Sequence, residues 1–347
     1  MSTSDDIFAS PESLRHAFEE GLGRLLERDT LGPFILATAN ASFDPDLWST
    51  LRPALEKRFR ELSADYRLRL KGGGTIKDGD EDLTVFLKLA FLGFNALEPT
   101  RFRKAGPWEV QFNPLRAFRP QRMSAQAVDS IRKPFNPDGF HFNKPFMEKE
   151  ILWEGNLDGT EAALYYNKYP FVARHGLLVP ERHQHYPQFL TRRLHQFAWE
   201  QTARLGKTLP GVGLGYNAYG AGASVNHLHL QLFVSNTRLP VAEPRFLHNG
   251  GDEPYPAHCL LLDDEAKSWD EIDGLHRSGT AYNLIYLPGR AYLLPRRTQG
   301  SFTLPEWCGT CAWYEMAGGM VTSNRELFDA LTSSDISGLL QGAKARL

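Results

Sequence analysis

Residues 220–234 constrain this chain more than any other stretch. They read Gly-Ala-Gly-Ala-Ser-Val-Asn-His-Leu-His-Leu-Gln-Leu-Phe-Val. From Asn226 on, His227, His229, Gln231 and Phe233 alternate with Leu228, Leu230, Leu232 and Val234. Side chains of a strand point to opposite faces in turn, so the spacing predicts a strand with its leucines in a core. The two histidines and the glutamine then line an open face. Same-face neighbours lie roughly 6.5–7 Å apart along a strand, which sets three polar groups along an extended ligand such as a nucleotide diphosphate. The small residues ahead of the strand let backbone approach a ligand at Gly222, with Ser224 and Asn226 as further donors.

Three chemistries are open to such a strand. It can be an ordinary strand with solvent-facing histidines. It can supply metal ligands, joined by the second His-x-His pair at His183 and His185, since zinc needs three or four ligands. It can also carry covalent nucleotidyl transfer, in which a neutral imidazole attacks phosphorus. Amide side chains and backbone N–H groups would then hold the phosphoryl oxygens. We favour the third, with His229 as nucleophile, His227 orienting the site and Gln231 on a nonbridging oxygen. Arg116 and Arg119, with Arg122 close behind, would grip phosphate.

Composition narrows the setting. At 347 residues and 42% hydrophobic content the chain can build one large domain or two moderate ones. Lys+Arg (39) nearly balances Asp+Glu (41), so no global field steers it to nucleic acid or an anionic membrane. No apolar run is long enough to span a bilayer. The first residues, Met-Ser-Thr-Ser-Asp-Asp, lack the basic and apolar segments of a signal peptide. Three cysteines are too few for a disulfide framework and suggest a reducing compartment, so a cytoplasmic enzyme is expected. Trp307-Cys-Gly-Thr-Cys311 imitates a redox motif but lacks the preceding βαβ pattern.

Along the chain, Ser10-Pro11 opens a helical period through Leu14, Phe18, Leu22 and Leu25, and a second runs from Leu51 to Tyr66. The glycine run at 72–74 and the acidic run at 78–82 read as loops. Residues 1–105 thus form a mostly helical extension. Strands are predicted at 108–112, 162–167, 176–180 and 212–217, with a helix across 189–205. Residues 282–295 form a hairpin that echoes 165–180, which suggests a degenerate internal duplication. A final helix covers 326–340. The expected divisions are 1–105, 106–245 as the half bearing the histidines, and 246–347 as a degenerate second half. The class is α+β.

Ser224-Val-Asn-His-Leu-His-Leu-Gln231 resembles the active-site strand of the histidine-triad superfamily, in its transferase and phosphorylase branch. The chain is most similar to the GDP-L-galactose and GDP-D-glucose phosphorylases. Leu214-Gly-Tyr-Asn-Ala-Tyr-Gly220, the aromatic loop 133–144 ending in Lys144, Glu150-Ile-Leu-Trp153 and Leu177-Leu-Val-Pro-Glu181 carry that likeness. Diadenosine tetraphosphate phosphorylase and galactose-1-phosphate uridylyltransferase are also similar, the latter through residues 108–120. The resemblance implies a histidine-triad-like antiparallel sheet with packed helices. It implies His229 as nucleophile, Gln231 as the glutamine of the transferases, phosphate on Arg116 and Arg119, and Asn167 on a ribose. No paired cysteines lie near 133–150, so no structural zinc and no cofactor are expected. The expected reaction cleaves an NDP-sugar, GDP-hexose first, with phosphate. The alternatives are a dinucleoside polyphosphate or adenylylsulfate phosphorylase and, in another class, a metal-dependent enzyme using both His-x-His pairs. Partners are the nucleotide substrate and phosphate. A homodimer is compatible with this reading, while nucleic acid and membrane are not expected.

Overall fold

The computed structural model describes residues 6–75, 78–119 and 128–345. Arg122 lies outside them. The N-terminal segment forms four helices: α1 (Pro11–Leu26), α2 (Leu31–Phe43), α3 (Pro45–Lys71) and α4 (Asp80–Leu92). The expected start of α1 holds: Pro11 opens it and the Ser10 hydroxyl accepts from Ser13 N at 3.1 Å. The acidic run is not a loop. Asp80, Glu81 and Asp82 form the first turn of α4, where negative charge complements the helix dipole. Asp78 accepts Leu31 N at 2.9 Å at the start of α2, and it also bonds the Tyr66 hydroxyl. None of these helices, nor any other among the described residues, is long and apolar enough to cross a membrane.

A hairpin of β1 (Arg101–Ala105) and β2 (Trp108–Phe112) follows. Next come β3 (Ile151–Leu157), β4 (Thr160–Tyr166), β5 (Gly176–Pro180), α5 (Arg192–Leu205), β6 (Val212–Asn217) and β7 (Leu230–Val234). The remainder is β8 (Leu260–Leu262), α6 (Glu265–Ser278), β9 (Ala281–Leu287), β10 (Arg290–Arg296), α7 (Trp313–Met316), β11 (Gly319–Thr322), α8 (Arg325–Ala330) and α9 (Ser333–Ala343). The expected single last helix is broken at Thr332, which with Asp335 forms a capping box that starts α9 afresh.

Eight strands form one antiparallel sheet in the order β3-β4-β5-β7-β6-β9-β10-β8. β7, with Gln231, therefore sits near the middle. One face carries Leu228, Leu230, Leu232 and Val234 and packs with residues of α5 and α6, including Leu194, Phe197 and Ile272. The other face is also covered. Phe233, Ile285 and Tyr292 pack there with β2, α7 and α9, while Phe142 of the 133–144 loop packs on Tyr165 and Val179. A second sheet, β1-β2-β11, lies in that layer. The helical bundle closes its own core around Phe34, Leu55 and Phe86. Leu115, Tyr166 and Tyr169 share that core, so the bundle abuts the loops next to β2 and β4.

Candidate functional site

The histidine pair lies just outside the strand predicted to hold it, because β7 begins at Leu230 rather than Asn226. Side-chain alternation nevertheless persists: Leu228 stays in the leucine core, and the histidines lie on the other side. The backbone leaves the sheet ladder because other groups satisfy it. His229 N donates to Gln188 Oε1 at 2.9 Å, and Leu228 N donates to Tyr186 O at 2.8 Å. Gln188 Nε2 donates in turn to His229 O and to Asn217 O at 3.2 and 2.9 Å. One buried glutamine thus joins the end of β6 to His229 where the strands part.

The polar side of this segment is not open, contrary to the sequence expectation. His227 and His229 are 1% and 4% exposed, and the Phe142 ring lies 5.5 and 5.2 Å from them. Phe233, apolar on the polar side, is the sequence signal that a second layer covers this face. Burial has an electrostatic result, since desolvation disfavours the charged ring. It pushes His229 down to about 4 and His227 to about 3. Both are therefore neutral at neutral pH. Their tautomers are opposite. His229 Nδ1 lies 2.8 Å from the carbonyl of His227, which can only accept, so the proton is on Nδ1 and the lone pair on Nε2. His227 Nδ1 accepts Phe142 N at 3.2 Å, so its proton is on Nε2.

Gln231 is anchored by its oxygen. Trp313 Nε1 donates to Gln231 Oε1 at 2.9 Å, and His175 Nε2 lies 3.1 Å from the same atom. Gln231 Oε1 is the only acceptor against the His175 ring among the described residues, which places that ring's proton on Nε2. His175 is fully buried, and burial pushes it down to about 3. A second amide is held in the same way: Asn217 Oδ1 accepts Trp313 N at 2.8 Å and Asn283 Nδ2 at 2.7 Å. Gly215 pairs with Gln231 across β6 and β7, so Asn217 stands level with His229.

The other predicted residues divide. Arg116 donates to Tyr169 O at 2.7 Å and lies 5.3 Å from the Phe171 ring; Arg119 lies 5.9 Å from the Tyr169 ring. Burial, then the charge of Arg119, pushes Arg116 down to about 10, so it remains cationic. His175 contacts Phe171, which places the arginines at the Gln231 end of the site. Asn167 Oδ1 accepts from Tyr169 N at 3.0 Å; its Nδ2 lies 3.2 Å from His175 Nε2, which with its proton there is a donor itself, so that contact is not a hydrogen bond. Asn226 is occupied in holding loops, accepting Gln188 N at 3.0 Å and donating to Pro134 O at 2.7 Å. Gly222 has φ +92, and a Cβ there would meet the Cβ of Ala312 at 2.8 Å. Ser224 is exposed, and Lys144 Nζ donates to Pro137 O at 3.1 Å, on the outside of the aromatic loop. His183 and His185 are exposed; His185 stacks on Phe135, 6.1 Å from the His227 ring. Among the described residues no group of three or more His, Cys, Asp or Glu is arranged to hold a metal ion. Cys308 and Cys311 are buried and free, and burial pushes Cys311 up to about 11.

Sequence reasoning missed Gln188, Asn217, Asn283, Trp313 and His175. Asn217 lay inside the quoted 214–220 motif and could have been found there. Trp313 had no signal, being 82 residues from Gln231.

Residues 108–233 match the family model described as the GDPGP1-like N-terminal domain. GDP-D-glucose phosphorylase 1 of Danio rerio is 37% identical over 122 residues, covering 35% of this chain and 35% of that protein. The Homo sapiens protein of that name is 37% identical over 156 residues, covering 42% of this chain and 38% of its own. GDP-L-galactose phosphorylase 2 of Arabidopsis thaliana is 24% identical over 256 residues, 61% of this chain and 59% of that protein. The chain therefore spans little more than a third of the length of the two animal relatives. Among solved structures, yeast Ap4A phosphorylase Apa2 in complex with AMP superposes with a TM-score of 0.50 at 19% identity, covering 76% of this chain and 96% of that chain. That likeness is one of fold and accords with the expected α+β class. Residues 108–233 thus match a GDPGP1-like N-terminal domain, and over part of its length the chain is similar to proteins named GDP-D-glucose phosphorylase 1 and GDP-L-galactose phosphorylase 2.

Proposed function

We propose that this chain is a nucleotidyltransferase of the phosphorylase type that cleaves a GDP-hexose with inorganic phosphate. The observation that carries the reading is the state of His229: neutral, desolvated, and tied through Nδ1 so that Nε2 holds the lone pair. Nε2 attacks the α-phosphorus of the GDP-hexose. The bond from that phosphorus to the bridging oxygen breaks, hexose 1-phosphate leaves, and a guanylyl-histidine remains. An oxygen of inorganic phosphate then attacks the same phosphorus, the P–N bond breaks, and GDP departs with the imidazole restored. Two displacements give ping-pong kinetics and net retention at phosphorus. Charge on the nonbridging oxygens meets donors in a site with little water, where preorganised groups count most. Gln231 and Asn217 supply amide N–H groups, and Arg116 and Arg119 clamp the departing or incoming phosphate. His227 orients the nucleophile through its carbonyl.

The preference for guanosine rests on the names of the relatives. The fold relative crystallised with AMP makes an adenylyl donor the competing substrate. The reading calls on no cofactor, and free Cys259, Cys308 and Cys311 suit a cytoplasmic setting. The test is covalent labelling. The protein is incubated with α-³²P-labelled GDP-glucose, UDP-glucose or diadenosine tetraphosphate, quenched and run on a denaturing gel. Label is expected from the GDP donor, chased into GDP by phosphate, and absent from a folded His229→Ala variant. Retention of label by that variant, or no label from any donor in the wild type, overturns the reading.

A further inference from the structure

The two amides of the site share one anchor. Trp313 N donates to Asn217 Oδ1 at 2.8 Å, and Trp313 Nε1 donates to Gln231 Oε1 at 2.9 Å. An amide has one acceptor end and one donor end, and the two are nearly the same shape. Either amide could therefore turn over at little steric cost. Only the partner of the oxygen decides which end faces the reacting phosphorus. Here Trp313, whose N–H groups can only donate, takes both oxygens, with His175 as the second donor to Gln231 Oε1 and Asn283 as the second donor to Asn217 Oδ1. The donor ends of Asn217 and Gln231 have no hydrogen-bond partner among the described residues, although the two residues are 3% and 9% exposed. Gln231 is on the His229 side of the chain and Asn217 stands level with His229. The place of Trp313 is itself built: it stacks on Phe233 at 5.2 Å and 15°, and a side chain at position 215 would strike its ring at 2.4 Å.

We propose that Trp313 is a positioning residue that sets both site amides as donors, so that the site favours the extra negative charge of a phosphoryl transition state. It lies outside residues 108–233, so the second part of the chain completes the site of the first. This role rests on the nucleotidyl-transfer reading for its kinetic consequence, but not for its geometry.

Two measurements test it. The first needs no activity. The seven tryptophans are labelled with ¹⁵N at the indole, and wild type is compared with Gln231→Ala. One indole N–H is expected to lose its acceptor, moving upfield and exchanging faster with solvent. If no indole signal responds, the bond is absent and the proposal falls, whether or not the protein is an enzyme. The second is a kinetic cycle. Gln231→Ala is expected to cost roughly 10²–10³-fold in kcat, as for the loss of one oxyanion donor. Trp313→Phe keeps an aromatic ring and the backbone donor but removes Nε1–H with the rest of the five-membered ring. It should lower kcat about tenfold with KM within twofold, and add less than twofold in the Gln231→Ala background. Full activity of a folded Trp313→Phe beside an active wild type overturns the role of Trp313 alone, as do losses that simply multiply. A wild type that transfers no nucleotidyl group defeats the functional reading, and this kinetic role with it.

Discussion

At the scale of single residues, the site is governed by the removal of water from imidazole rings. An exposed histidine near pKa 6.5 would be about three-quarters protonated at pH 6 and unable to attack phosphorus. His229 is pushed down to about 4 by burial, and its Nδ1–H is held by a carbonyl. Its neutral form, the nucleophile of the proposed transfer, therefore persists well into acid. Single-turnover labelling is expected to change by less than twofold between pH 8 and pH 6. A titration near 6.5 would instead cost about fourfold at pH 6, and observing it would show that the attacking ring is solvated. The grouping of these residues was legible beforehand: His229, His227 and Gln231 stand out in one short stretch by alternation alone. What could not be read is which ring nitrogen carries each proton. That depends on Phe142 N, 85 residues away, and on how the backbone at 227 bends to meet His229.

At the scale of elements, β6 explains why the site can be assembled between two layers. Its sequence Val212-Gly-Leu-Gly-Tyr-Asn217 is all buried, and glycine occupies the positions facing Phe233 and Trp313. A Cβ at Gly213 would lie 2.3 Å from the Phe233 ring, and one at Gly215 would lie 2.4 Å from the Trp313 ring. The bare backbone is the floor on which both aromatics lie flat. Gly215→Ala keeps a backbone that any residue adopts but forces the indole away. Overpacking of this kind costs about 1–3 kcal/mol, and the displaced indole would no longer reach Gln231 Oε1. A fall in Tm together with a loss in kcat is expected, measured by thermal unfolding and steady-state assay. A fall in Tm with kcat intact would show that the indole can shift without releasing Gln231. The strands themselves were readable where period and punctuation agree, as for β6 and for the β9–β10 hairpin turning at Pro288-Gly289. The start of β7 was not, because a side chain, Gln188, takes over the ladder. Helix α2 was missed because nearly all of its residues are buried, leaving no polar face to give it a period.

At the scale of the whole molecule, the chain is a set of layers that exclude water from both faces of its main sheet, and its histidines record that exclusion. The sequence suggested a helical extension with no visible task. The structure places that bundle against Leu115, Tyr166 and Tyr169, with Asn40 Nδ2 donating to Asn167 O at 3.0 Å, so it backs the loop that carries Arg116. No local pattern could reveal a contact across 127 residues. The cost of so much burial appears in acid. His175 and His227 are pushed down to about 3, and His195, His229 and His276 to about 4, each chiefly by desolvation. In the unfolded chain each would titrate near 6.5. Between these values the unfolded state binds more protons than the folded one, so stability rises with pH and is lost as pH falls. The window opens near 6.5 and closes near 3–4, below which both states are protonated. Each histidine contributes at most about 1.4 kcal/mol per pH unit within it. Urea unfolding at pH 7.5, 6.5, 5.5 and 5 should therefore give a midpoint that is nearly flat above 6.5 and drops steeply below it. His276→Phe, which removes one titrating ring lodged between Phe189 and Tyr282, should flatten that drop. If the midpoint instead stays level down to pH 5, the rings are reached by water in solution, and the dry site on which the proposed transfer depends does not exist.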